Sequence, residues 1–194
     1  MESKYCLRVC VFCASSDQLN DHYLESARQL GRCLADAGHE LIYGGGNNGL
    51  MGALSRAMHE SGGRITGVIT SQFKNMGYAY RDADEMIVTE SMSRRKERME
   101  KLADAFIAMP GGFGTLEEVL EIITLRQLGL HNKPIVLLDP NGFFKHLLAQ
   151  FESGYRERFM REDDRNLYYV TDNAADAVRH IDACLQAGAD RRSI

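Results

Sequence analysis

Short apolar runs alternate with stretches whose apolar positions recur at helical spacing, from one end of the chain to the other. Leu7 to Ala14 reads as a buried strand, and Tyr23 to Ala37 places Leu24, Ala27, Leu30 and Leu34 on one helical face before Gly38 stops it. Leu41 to Tyr43 predicts a second strand running into Gly44-Gly45-Gly46, and Leu50 to His59 a helix closed by Gly62-Gly63. Further strands are predicted at Ile65 to Ile69, Met86 to Thr89, Ala105 to Met109 and Pro134 to Leu138, each followed by a helical pattern. A weaker pair closes the chain, Tyr168 to Val170 and Ala174 to Ala187. Strands apolar throughout are buried on both faces, and their alternation with helices implies parallel βαβ units. The expected fold is therefore α/β: a doubly wound, mostly parallel, Rossmann-like sheet with helices on both faces. Ligands of such sheets bind beyond the carboxyl ends of the strands, near a switch in strand order. The loops after Ala14, Tyr43, Ile69, Thr89 and Met109 thus become the places to look for chemistry.

A length of 194 residues suits one domain spanning 1–194, with no internal repeat, low-complexity segment or linker; Lys74 to Asp84 is the longest irregular stretch. No run approaches the roughly 20 apolar residues of a membrane helix. The first residues, Met1 to Arg8, lack the zones of a signal peptide, so a cytoplasmic location is expected. The five cysteines read mainly as small buried hydrophobes, and Cys10-x-x-Cys13 has no second pair to complete a zinc site. A net charge of -4 argues against a broad nucleic-acid surface while leaving room for a small anionic ligand. No ligand set with metal-binding spacing is present, and neither metal nor cofactor is expected.

Gly44-Gly45-Gly46-Asn47-Asn48-Gly49 matches G-x-G-x-x-G between a strand and a helix, where backbone amides can cradle phosphate. The acidic residue that would hold an NAD ribose is missing from Val68-Ile69-Thr70-Ser71-Gln72. A tight turn with close helix packing accounts for the same glycines, and both readings stand. Pro110-Gly111-Gly112-Phe113-Gly114-Thr115-Leu116-Glu117-Glu118 also follows a strand and opens an apolar helix, so its amides and the helix dipole would face an anion. Thr115-x-x-Glu118 is equally a capping box, which would use both side chains to close the helix end.

Helix phase adds to this. At about 100° per residue, Leu116, Val119, Leu120 and Ile123 share one face, whereas Ile122 and Leu125 lie nearly opposite with Glu118 between. A helix apolar on two sides needs a second cover, for which a symmetric partner helix is the simple candidate. In Ser91 to Leu102, Arg94, Glu97, Arg98 and Lys101 occupy an outer side, but Arg95 and Lys96 fall in the arc of Met92, Met99, Leu102 and Ala103. Inward cations call for a carboxylate or phosphate, unless the long side chains snorkel past the core edge.

The set Tyr43-Gly44-Gly45-Gly46-x-x-Gly49-Leu50-Met51-Gly52, Met92-x-x-Arg95-Lys96 and Pro110-Gly111-Gly112-x-Gly114-Thr115-x-x-Glu118 resembles the Lonely Guy (LOG) family of nucleoside 5′-monophosphate phosphoribohydrolases, often mislabelled lysine decarboxylases. The resemblance runs from about Val9 to Leu148 and takes in Gln127-Leu128-Gly129-x-His131-x-Lys133-Pro134. It implies hydrolysis of the N-glycosidic bond of AMP or a cytokinin riboside 5′-monophosphate, giving free base and ribose 5-phosphate. It places the catalytic pair on Arg95 and Glu118 and the phosphate loop on Gly111, Gly112, Phe113, Gly114 and Thr115. Lys96 becomes a second-tier phosphate contact, and Glu117, Thr124, Gly45, Gly46, Ser15 and Met92 complete the expected substrate pocket. It further implies a homodimer with active sites near the interface. The chain carries Ser93 where the family commonly has His, Ala14 for Gly, Thr70 for Pro and Leu125 for Trp, and Lys74 to Tyr80 holds no carboxylate.

Other functions compatible with the residues are a nucleotide-binding sensor or carrier without turnover, and an NAD-dependent oxidoreductase, which the missing ribose-binding acid disfavours. A pyridoxal-phosphate decarboxylase would need a Schiff-base lysine in a cofactor pocket, and no lysine here sits in such a motif.

Overall fold

The computed structural model describes residues 6–190, so residues 1–5 of the stretch read for a leader lie outside the described residues. The chain runs β1 (Arg8–Phe12), α1 (Asp21–Asp36), β2 (Glu40–Tyr43), α2 (Gly49–Glu60), β3 (Ile65–Thr70), α3 (Ser71–Asn75), β4 (Glu85–Thr89), α4 (Met92–Leu102), β5 (Ala105–Ala108), α5 (Phe113–Gln127), β6 (Ile135–Leu138), α6 (Lys145–Arg156), β7 (Tyr169–Thr171) and α7 (Ala174–Asp190). Short 3-10 turns at Pro140–Gly142 and Glu162–Leu167 flank α6. Every strand pairs in parallel, in the order β4-β3-β2-β1-β5-β6-β7.

Strand periodicity sorts the core into two layers. Val9 and Val11 of β1, Leu41 and Tyr43 of β2 and Ile107 of β5 pack with α1, α2 and α7. Their neighbours Cys10, Phe12, Ile42 and Phe106 pack with α4 and α5 on the other face. Full burial of such a side chain contributes about 1.5–3 kcal/mol, and the central strands, apolar on both faces, are the part of the sheet that collects it twice. The expectation of uniform burial fails at the edges: β4 and β7 have a neighbour on one side only, and both are partly exposed. Lys74 to Asp84 is also less irregular than expected, since it begins in the last turn of α3 and an antiparallel bridge joins Ala79 to Gly46.

The chain moves outward from β1 to β4, returns to β5 beside β1, and moves outward again to β7. The switch in strand order therefore falls between β1 and β5, and the carboxyl ends of both strands open on the same crevice. No helix among the described residues is long and apolar enough to cross a membrane.

Candidate active site

A cleft of ≈ 690 Å³ occupies that crevice. Its walls are the turn after β1 (Cys13 to Asp17), the loop after β2 (Gly44, Gly46 to Asn48 and Met51), Phe73 and Tyr78 beyond β3, Met92 and Arg95 of α4, and Gly112 with Gly114 to Glu118 except Leu116 from the start of α5.

Arg95 is the cation of the floor. Ser91 caps α4 by accepting from the Arg94 amide at 3.2 Å, which sets the helix phase and sends residue 95 inward. The buried guanidinium donates from Nε to the Val68 carbonyl at 2.9 Å and from Nη1 to Glu118 Oε1 at 3.4 Å. A Cβ at Gly44 would overlap Arg95 Nη2, so the first glycine of the loop is the space in which the guanidinium lies.

Glu118 comes from the inward face of α5 together with Thr115, Val119 and Ile122. This corrects the predicted phase: Val119 and Ile122 share the buried face with Glu118, Leu116 and Ile123 pack half-buried at its edges, and Leu120 faces outward. Burial pushes the Glu118 carboxyl up; Arg95 pulls it down and Glu117 pushes it up again, and the balance stays above the usual carboxylate range.

The two alternatives left by the glycine loops are now decided by where backbone amides are used. In the loop after β2, the Gly49 amide donates to Asp17 Oδ1 at 3.0 Å, and Leu50 and Met51 donate to the Ala14 carbonyl at 2.9 and 3.2 Å. A Cβ at Gly49 would strike the Ser16 carbonyl. That loop is a packing device whose helix-start amides are taken. At α5 the N-cap is Gly112, not Thr115, and no side chain caps it. The first helical bond runs from Leu116 N to Gly112 O at 3.1 Å, and the Phe113, Gly114 and Thr115 amides ahead of it have no partner among the described residues. Thr115 is instead buried beneath Gly111, where a Cβ would overlap its hydroxyl. The capping box is thus absent, and the open amides at this helix start have the geometry that an anion could meet.

Ser15, Gly46, Met92, Gly112, Gly114, Thr115 and Glu117 line the cleft together with Arg95 and Glu118. Five expected contacts do not. Gly45 packs on Met86 and Ile69, Gly111 serves Thr115, and Phe113 is 95% exposed off the cleft wall. Thr124 is exposed, its hydroxyl donating to the Leu120 carbonyl at 2.7 Å, because its helical phase is the outward one. Lys96 lines a separate cavity of ≈ 130 Å³ between α4 and α5, where it is ion-paired with Glu117 and Glu121. The sequence pattern did not single out Asp17, Phe73 and Tyr78, and it marked Gly44 for the glycine loop rather than for the guanidinium it accommodates. The signal for the aromatic pair was their place in the stretch that follows a strand end; for Asp17, and for the pairing of Gly44 with Arg95, no local signal exists, since each acts on a residue far along the chain.

Burial raises the Cys10 and Cys13 thiols well above their ordinary range, which leaves them protonated and poor nucleophiles. Among the described residues no three His, Cys, Asp or Glu side chains converge as metal ligands. Of the described lysines, Lys96 is the one lining either cavity, and two carboxylates hold it.

A family model described as "Possible lysine decarboxylase" matches residues 51–181. The chain is 40% identical over 173 residues to the probable cytokinin riboside 5′-monophosphate phosphoribohydrolase LOG4 of Oryza sativa subsp. japonica, covering 89% of this chain and 75% of that relative. It is 41% identical over 175 residues to the cytokinin riboside 5′-monophosphate phosphoribohydrolase LOG7 of Arabidopsis thaliana, covering 90% and 81%. Among solved structures, the molybdenum cofactor binding protein of Rippkaea orientalis superposes with a TM-score of 0.71 at 24% identity, over 94% of this chain and 99% of that one. The molybdenum cofactor carrier protein of Chlamydomonas reinhardtii gives 0.72 at 22% identity over the same shares. At that identity the likeness is one of fold.

Proposed function

This chain belongs to the LOG phosphoribohydrolase family and is a nucleoside monophosphate N-glycosyl hydrolase, and from that premise we propose that it releases the base from AMP or a cytokinin riboside 5′-monophosphate. The observation that carries this is the buried Arg95–Glu118 pair on the same cleft as the start of α5, where three amides have no partner among the described residues. The amides and the helix dipole hold the 5′-phosphate, and that anchor delivers C1′ to Glu118. As the C1′–N bond breaks, positive charge develops on the ribose and the Glu118 carboxylate stabilises it. Glu118 takes a proton from the water that attacks C1′; the base departs with the bonding pair and is protonated, and ribose 5-phosphate remains. Arg95 keeps Glu118 ionised in a buried setting and fixes it against the end of β3. Phe73, Tyr78, Ile69 and Met92 make the remaining wall apolar and aromatic, which suits a nucleobase and an N6-prenyl substituent.

We further propose a homodimer acting in the cytoplasm. The outward stripe of α5 continues from Leu120 to Leu128 and Leu130, 66% and 67% exposed in the single chain, and a second copy of that helix is the cover of matching shape. Free thiols buried in the first strand suit a reducing compartment.

The test is chromatographic detection of free base after incubation with AMP, GMP, CMP, adenosine and N6-isopentenyl AMP, with binding followed in parallel. Release from a nucleotide by the wild type is expected. Tight nucleotide binding with no release from any of them would overturn the hydrolase and favour a sensor or carrier.

A further inference from the structure

Glu118 forms part of the wall of both cavities. On the side away from the cleft it shares the smaller space with Ser93, Lys96, Glu97 and Glu100 of α4 and Glu121 of α5. Lys96 Nζ lies between two carboxylates there: it pairs with Glu117 and, at 2.9 Å, with Glu121 Oε2. Those residues are the predecessor of Glu118 and the residue three further along, one turn apart on α5. The Lys96 side chain is 18% exposed, so the bridge lies in the seam of α4 and α5 and its charges are less screened than those of an open surface pair.

The opposite flank of Glu118 belongs to Arg95, and β1 with the turn after it brings the neutral thiols Cys10 and Cys13 near it. Of the charges around the carboxylate, Arg95 answers Glu118 itself, Arg94 and Lys101 pair with Glu97, Glu100 also lines the smaller cavity, and Lys96 is the cation paired with Glu117 and Glu121, the two acids nearest Glu118 along α5. Without Lys96 two like charges would flank a buried carboxylate that must stay ionised. Lys96 lines the smaller cavity, while one of the carboxylates that hold it, Glu117, lines the cleft, so the bridge spans the seam between the two spaces.

We propose that Lys96 is a positioning residue for Glu118: by bridging Glu117 and Glu121 it ties the first turns of α5 to α4 and cancels the two like charges beside the reacting carboxylate. This rests on the hydrolase reading for its consequence in catalysis. The geometry also explains why the residue following Arg95 is cationic, since one turn of α4 faces both flanks of Glu118, Arg95 on one and Lys96 on the other.

The experiment is a ¹³Cδ-glutamate NMR titration of the full chain, with the Glu118 resonance assigned by its loss in Glu118→Gln, run beside the pH dependence of kcat/KM for base release. Lys96→Met is expected to raise the Glu118 midpoint by about one pH unit and to move the acid limb of kcat/KM with it. Lys96→Arg keeps the wild-type midpoint. The triple variant Lys96→Met, Glu117→Gln, Glu121→Gln, which removes all three charges together, returns the midpoint to the wild-type value or below and guards against a mere failure of the single variant to fold. An unmoved midpoint in Lys96→Met, or a triple variant that stays as shifted as the single one, overturns the proposal. Shifted midpoints in a protein that releases no base would sink the hydrolase reading and leave the charge role of Lys96 standing.

Discussion

Arg95 Nη1 stands 3.4 Å from Glu118 Oε1, with both side chains 7% exposed, which is long for a charge-assisted hydrogen bond. The cation neutralises the carboxylate without saturating it, and Glu118 keeps acceptor capacity for a water molecule or the ribose. Glu118→Gln should therefore lower kcat by about 10²–10⁴-fold while nucleotide affinity, measured by calorimetry, changes little. Wild-type turnover in that variant would remove Glu118 from the chemistry.

Arg95→Ala leaves Glu118 buried and uncompensated. A loss of about 3–5 kcal/mol is expected for breaking a buried pair from one side, read as a lower urea midpoint at neutral pH. Combining it with Glu118→Gln should recover part of that stability and none of the activity, because the orphaned charge has then been removed too.

The pH dependence follows from the raised proton affinity of Glu118, for which burial is the main cause. A general base works ionised, so kcat/KM should fall on acidification around a midpoint above that of an ordinary glutamate. For stability the sign is the opposite. A carboxyl whose folded midpoint is raised contributes stability that is present below its unfolded midpoint and lost as pH rises through the folded one. Activity and this stability contribution should cross in the same acidic window. An acid limb at or below the usual glutamate range would contradict the burial assignment.

Gly44→Ala tests the space beneath Arg95. Backbone strain is not involved, since Gly44 is not among the glycines with positive φ. The added methyl would overlap Arg95 Nη2, so the guanidinium must move from Val68 and Glu118. Activity should fall about as far as in Arg95→Ala while the circular dichroism spectrum is retained. A fully active Gly44→Ala would show that the guanidinium position is not required.

Phosphate anchoring at the start of α5 predicts that adenosine is cleaved at least roughly 10²-fold less efficiently than AMP in kcat/KM, since lost remote binding energy appears in the rate of the reacting bond. Equal efficiencies would leave the three amides, unpartnered among the described residues, without this role.

For the dimer, Leu120→Asp places a charge in the middle of the outward stripe of α5 and away from the cleft lining. Light scattering should report a dimer for the wild type and a monomer for the variant. A wild-type monomer at working concentration would withdraw the second-copy assignment.

Much of the architecture was legible from residue order. Strand and helix limits fall close to those predicted, because period 2 and period 3.6 are local properties of the backbone. The doubly wound parallel sheet and the crevice at its switch point follow from the same alternation. The two motifs that hold Arg95 and Glu118, read through the family resemblance, likewise singled out both members of the pair. Less legible were the edge strands β4 and β7, whose exposure depends on which strand is last in a spatial order that no local pattern encodes.

The sequence by itself determined the element types, the sheet class and the candidate pair, since each depends on short-range periodicity or on a motif read in order. The tertiary structure alone decided which glycine loop has its helix-start amides already bonded, because that depends on where Asp17 and Ala14 lie. It alone decided that Gly44 makes room for Arg95 and that Lys96 is ion-paired with Glu117 and Glu121. These outcomes turn on the mutual placement of elements distant in the chain, and a few ångströms of helix approach settle which charges meet.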